Sequence, residues 1–146
     1  MATLNKFNAF AADIGNKVHN LGSDTLKIML TNTAPVATNA VKADITEISA
    51  GNGYSAGGTA VGSNAYSQAS GLASLTGNAV TYTASGGSIG AFRYAVLYNS
   101  TTGSGNLIGW WDYGSSITLN NGESFKVAAD TLGSNWTTGS PILTVQ

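Results

Sequence analysis

The hydrophobic period of this chain changes once, near residue 22, and that change limits the folds open to it. Up to that point Leu4, Phe7, Ala11, Ile14, Val18 and Leu21 recur every three or four positions, with Phe10 widening the stripe. This spacing aligns side chains on one face of an α-helix. It predicts a helix over about residues 3–21, capped by Thr3 and left through Gly22. Asp13 and Lys17 form an i,i+4 pair on its flank, worth only a few tenths of a kcal/mol, and an interior glycine such as Gly15 costs roughly 1 kcal/mol relative to alanine. Such a helix needs a neighbour, either a sheet or another subunit.

From Thr25 the period is two. Leu26, Ile28 and Leu30 share one side of a predicted strand, and Thr25, Lys27 and Met29 the other. Residues 32–43, with Pro35, read as a loop, and Asp44–Ile48 as a short strand. The glycines around Tyr54 read as successive turns. Residues 62–77 are small and polar, so strands there are expected to be short or to lie at an edge. Val80, Tyr82 and Ala84 alternate before a Gly86-Gly87 turn, and a long strand covers Ala91–Tyr98 with Phe92, Tyr94, Val96 and Tyr98 on one face. The loop from Asn99 leads back into Leu107–Tyr113, predicted to be its antiparallel neighbour. A second hairpin is expected from Ile117 and Leu119 through Asn120-Asn121-Gly122 to Phe125, Val127 and Ala129, and a last strand over Ile142–Val145. Seven to nine short strands after one helix predict a mainly β, antiparallel β-sandwich or jelly-roll-like domain, with the β region over about 24–146 of a single domain spanning 1–146.

The composition narrows the function classes. Only 9% of the 146 residues are charged and 42% are hydrophobic, so neutral polar side chains carry the surface and the chain has the apolar content to fold. Six Lys and Arg in all cannot neutralise a row of phosphates, which argues against a nucleic-acid or anionic-membrane binder. There is no cysteine, hence no disulfide, thiolate nucleophile or Cys-based zinc site. The first ten residues lack a basic leader and an apolar run, so the expectation is a soluble product that stays in the cytoplasm where it is made.

Candidate chemistry is sparse. The single histidine, His19, lacks a partnered nucleophile and reads as a surface or helix-end residue, although Ser23 and Asp24 are close in sequence. The carboxylates Asp13, Asp24, Asp44, Glu47, Asp112, Glu123 and Asp130 show no acid/base or calcium-loop spacing. Gly51–Gly58 lacks both the dinucleotide fingerprint and a phosphate-loop lysine. The expectation is therefore no enzyme, no catalytic residue, no cofactor and no metal. Asn99-Ser-Thr and Asn135-Trp-Thr match the glycosylation pattern but stand without a secretion signal. Arg93, the only arginine, and Asp112 lie on neighbouring predicted strands among aromatics; a charge there is costly to bury alone, so a mutual structural ion pair is expected. In an extended segment Trp110 and Trp111 point to opposite faces, and with Phe7 and Phe10 they are the candidate packing or interface aromatics.

Val18–Pro35, Asp44–Ile48 with Gly51–Tyr54, Thr83–Gly90 with Phe92–Asn99, and Leu107–Leu119 together resemble small proteins encoded among the structural genes of tailed bacteriophages. The likeness covers roughly residues 4–127. It implies a virion structural protein of the decoration, or cement, kind, without catalytic residues. Its implied partners are the major capsid protein and its own copies, a trimer at a threefold position being one arrangement, with neither nucleic acid nor membrane. Assembly would take place in the host cytoplasm. The alternative is a tail or fibre component that recognises host glycans through Tyr54, Tyr66, Trp110 or Trp136.

Overall fold

The computed structural model describes residues 3–127 and 141–146. It is mainly antiparallel β with one helix near the N-terminus, a sandwich-like arrangement. The elements are β1 (Asn5–Lys6), α1 (Asn8–Gly15), β2 (Leu26–Thr31), β3 (Thr59–Ala60), β4 (Ala65–Ala69), β5 (Leu72–Thr76), β6 (Val80–Thr83), β7 (Ile89–Asn99), β8 (Leu107–Leu119), β9 (Ser124–Val127) and β10 (Pro141–Val145). Five strands form one sheet in the order β1-β8-β7-β2-β3; β10-β5-β4 and β6-β9 form two smaller ones.

The main core lies between the large sheet and the two small ones. Leu26, Ile28, Leu30, Ala95, Leu97, Ile108 and Trp111 from the large sheet meet Leu75, Ile142 and Leu143 and also Val80, Tyr82, Phe125 and Val127. The opposite face of the large sheet is covered too: Met29, Val96, Tyr98 and Leu107 pack with Phe7, Ile45 and Trp110. Burial on both faces explains why β2 reads as a nearly continuous apolar run although its alternation is real.

The helix is shorter than the apolar stripe suggests. It covers Asn8–Gly15, and its N-cap is Phe7, without a side-chain cap. Thr3 cannot cap it, because Asn5 and Lys6 are drawn into β1 opposite Trp110 and Gly109. At the far end Lys17 turns left-handed at φ 60°, and the stretch from Lys17 to Gly22 is not helical. Asp13 accepts a bond from Asn106 Nδ2 at 3.0 Å in place of pairing with Lys17. Phe7 and Phe10 are 1% and 3% exposed, which makes α1 part of the folded body, docked on the sheet.

Three further expectations change. Residues 44–48 are no strand: Lys42–Asp44 is a single 3-10 turn, and Asp44 Oδ2 accepts the N–H groups of Ala40 and Val41. Those bonds satisfy the backbone locally and hold the Asp44 carboxyl below its ordinary pKa. The Asn120–Gly122 turn does not close a hairpin between its flanking strands. Leu119 pairs with Ile89 of β7, while Phe125 pairs with Tyr82 of β6, so the turn carries the chain from one sheet to another. Ala129 falls outside the described residues. Finally, the period of β7 is broken. Phe92 shares the main core with Ala95 and Leu97, whereas Val96 and Tyr98 face the other way. A bulge does this: Tyr94 is opposite Asp112 but Phe92 is opposite Ile117, so residues 113–116 of β8 bow out against Arg93.

Candidate functional site

Three polar clusters and one exposed hairpin are the places where this fold could act. The first sits at the β8 bulge. Arg93 Nε donates to Asp112 Oδ1 at 2.7 Å and Nη2 to Oδ2 at 3.0 Å, a bidentate fork. Asp112 Oδ1 also accepts the Gly114 N–H at 2.8 Å, and Gly114 holds φ 100°, a conformation glycine adopts without penalty. The carboxylate thus ties the strand pair and shapes the bulge. The Arg93 hydrogen bonds hold the Asp112 carboxyl below its usual pKa, and Asp112 in turn raises that of Arg93. Both side chains are 37% exposed, so burial is not what drives them together, contrary to the argument from sequence. Tyr113, on the bulge, is 41% exposed and meets Phe125 edge-on at 5.4 Å.

The second cluster closes the open side of β2. Past Ile28, β3 ends, and the freed backbone groups are met by side chains and loop. Leu30 N–H donates to the Tyr54 hydroxyl at 3.0 Å, Ile48 N–H donates to Leu30 O, and the Tyr82 hydroxyl donates to Ile28 O. Tyr54 in turn donates to Glu47 Oε1 at 2.7 Å, which also accepts the Gly57 N–H. Tyr98 donates to Gly57 O at 2.7 Å, and Lys42 Nζ stands 3.8 Å from Glu47 Oε2. Burial raises the pKa of both Tyr54 and Tyr82 well above the ordinary phenol value, so these hydroxyls stay protonated and act as fixed bridges.

The third cluster surrounds His19. Its side chain is wholly buried and its ring lies 5.5 Å from that of Phe10, so the surface placement read from sequence is corrected. Asn99 Nδ2 reaches both His19 Nδ1 at 3.1 Å and Asp24 Oδ2 at 2.6 Å. No serine joins this set, so it is not a nucleophilic triad. Asn99 is 0% exposed, which removes it as a glycan acceptor; Asn135 and Trp136 lie outside the described residues. Among the described residues no group of three or more His, Asp or Glu could hold a metal ion.

The tandem tryptophans do divide between faces. Trp111 is fully buried in the main core, and Trp110 packs with the apolar side chains on the opposite face of the large sheet, 4.5 Å from the Phe7 ring. A bulge at Ile108, where the pairing slips between Leu97 and Tyr98, sets their phase. Of the four candidate glycan-stacking aromatics, Tyr54 is 3% exposed and spent inside the fold.

The exposed hairpin is β4–β5. Every residue of β4 is exposed, and Tyr66 and Leu72 are among the few large apolar side chains on the surface of the described residues. Ser70 and Gly71 at its tip both have positive φ, the requirement of a tight two-residue connection. Between Ile48 and Phe92, a span that includes this hairpin, no charged side chain occurs. The β8 bulge and the tyrosine bridges were invisible to periodicity. The bulge had a signal in Asp112-Tyr113-Gly114, because glycine in a strand pattern marks such a site. The tyrosine bridges had none.

No family model matches the chain, and no curated protein or solved structure matches it.

Proposed function

We propose that this chain is a tailed-phage virion structural protein, acting as a capsid decoration protein that binds the assembled shell and stabilises it. The observation that carries this reading is the charge-free β4–β5 hairpin, whose edge strand β4 is exposed at every residue. Charged groups are depleted at the buried centres of protein interfaces, and a neutral edge without lysine or proline lacks the usual protection against strand pairing. The polar clusters support the same reading: nearly all their described donors and acceptors are spent on bonds within the protein, to backbone or to one another, and none is arranged around a reacting atom. Binding the assembled shell in preference to free subunits would raise shell stability by mass action, by about 2.7 kcal/mol at a free concentration a hundred times Kd. The glycan-binding alternative draws less support, since Tyr54 is internal and Trp110 packs against Phe7 at a tilt of 42°.

The test is to mix the purified protein with shells stripped of accessory proteins, with unassembled capsid subunits, and with host polysaccharide. Saturable binding to shells alone, together with a higher shell-disruption temperature, is the expected result. Binding to polysaccharide and not to shells refutes the proposal, and electron microscopy of intact particles would show where the bound copies sit.

A further inference from the structure

The His19 cluster has a feature that neither the packing nor the proposed function uses. The orientation of the Asn99 amide is set independently of the histidine, because Asn99 Oδ1 accepts the Thr101 N–H at 3.0 Å and Nδ2 donates to the Asp24 carboxylate at 2.6 Å. The second hydrogen on Nδ2 therefore points at His19 Nδ1, 3.1 Å away, and that nitrogen must be an acceptor. The imidazole is held as the neutral tautomer with its proton on Nε2. Nε2 is itself buried without a hydrogen-bond partner among the described residues; the nearby carboxylate oxygen, Asp13 Oδ2, is 3.8 Å away and already accepts from Asn106.

We infer that His19, Asn99 and Asp24 form a proton-sensitive latch, which holds the connection between α1 and β2 against the end of β7 while the imidazole is neutral and releases it when the ring takes up a second proton. A proton on Nδ1 sets two donors facing each other across the His19–Asn99 contact, so that of the two bonds from Asn99 to this segment only the one to Asp24 remains. The charges around the ring oppose one another. Asp13 from α1 and Asp24 from the segment before β2 favour the imidazolium, and burial disfavours it more strongly, so the pKa of His19 lies below its ordinary 6.5. Lys17 and, across from it on β4, Tyr66 line the same cavity of about 440 Å³, together with Ile14, Asn20 and Leu21. Lys17 brings a like charge to the same cavity. The sign follows from the lowered pKa: the latch's contribution is complete above about pH 6.5 and is lost as pH falls through the folded-state value. The inference does not depend on the virion reading.

Amide hydrogen exchange of the full chain at pH 7.5 and pH 5.0, corrected for the intrinsic pH dependence of exchange, tests it alongside a nitrogen-15 titration of the imidazole. The expected results are an Nε2–H tautomer at pH 7.5 and about a tenfold rise in local opening of residues 17–24 across the histidine titration, the scale of one lost hydrogen bond. The centre of β7 should not change. His19→Gln, which cannot titrate, should open equally at both pH values, and Asp13→Asn should move the wild-type midpoint to lower pH. An Nδ1–H tautomer at pH 7.5, or wild-type protection of residues 17–24 that does not change through the titration, overturns the inference. So does the same pH response in a folded His19→Gln variant.

Discussion

Removing one oxygen atom, in Tyr54→Phe, should reveal how β2 is finished on its open side. The ring is 3% exposed and phenylalanine fills nearly the same space, so the core is left intact. What changes is the hydrogen bonding. Leu30 N–H, which now donates to the hydroxyl at 3.0 Å, becomes a buried donor without a partner, at a cost of about 1–3 kcal/mol. Glu47 Oε1 loses the Tyr54 donor at 2.7 Å but keeps the Gly57 N–H, so that side is only partly exposed to loss. Together the substitution should destabilise by about 2–3 kcal/mol. For a domain of about 150 residues this corresponds to a fall in Tm of roughly 4–12 °C. Urea unfolding followed by tryptophan fluorescence, with calorimetry for Tm, reads it directly. Tyr66→Phe, on the 37% exposed ring of β4, is the control and should stay within about 0.5 kcal/mol of wild type. If Tyr54→Phe is equally silent, the hydroxyl does not stand in for a strand neighbour and the account of the β2 edge is wrong.

Other substitutions separate the forces at work. Gly58 has φ 73°, and a Cβ there would overlap the Ile28 carbonyl, so Gly58→Ala should cost about 3 kcal/mol or more; Gly71→Ala, at φ 83° with open space around it, should cost only the conformational 1–2 kcal/mol or so, as circular dichroism melts would show. Trp111→Ala should lose about 3–5 kcal/mol in urea titrations, and Trp110→Ala less than half of that, because Trp110 keeps part of its surface in water. Asp112→Asn should lower stability slightly at low ionic strength and not at high salt, since both partners of the ion pair are partly exposed. Asp112→Ala should lower it further, because the bond to the Gly114 N–H goes too. The depressed Asp112 pKa means that the pair's contribution is present above the unfolded-state value near 3.9 and fades as pH falls through the folded-state value, which acid titration of the wild type against Asp112→Asn would detect.

Local pattern was enough for much of the architecture. Alternation at Leu26, Ile28 and Leu30 placed those side chains in the main core and Met29 on the other face. The adjacent tryptophans had to diverge, and they do. Where the reading failed, a particular bond or backbone turn, near or far in the chain, outweighed the periodic pattern. The helical stripe from Leu4 to Leu21 was cut at both ends, by the pairing of Asn5 and Lys6 with β8 and by the left-handed turn at Lys17. The strand expected after Asp44 gave way to its own side chain bonding back to Ala40 and Val41. The Asn120–Gly122 turn formed as a turn, but its choice of partner strands was made by β6 and β7, far away in the chain.

The amino-acid order alone therefore determined a charge-poor, antiparallel β protein with its apolar residues alternating and its turns at glycine and asparagine, because those properties belong to each residue and its near neighbours. Tertiary structure decided the rest: which strand lies beside which, where β8 bows out to let Arg93 meet Asp112, and how a histidine expected at the surface or a helix end became buried against Asn99. Those outcomes depend on contacts between residues as far as 105 positions apart, and such contacts leave no periodic trace in the sequence because either partner, taken alone, could as well have faced water.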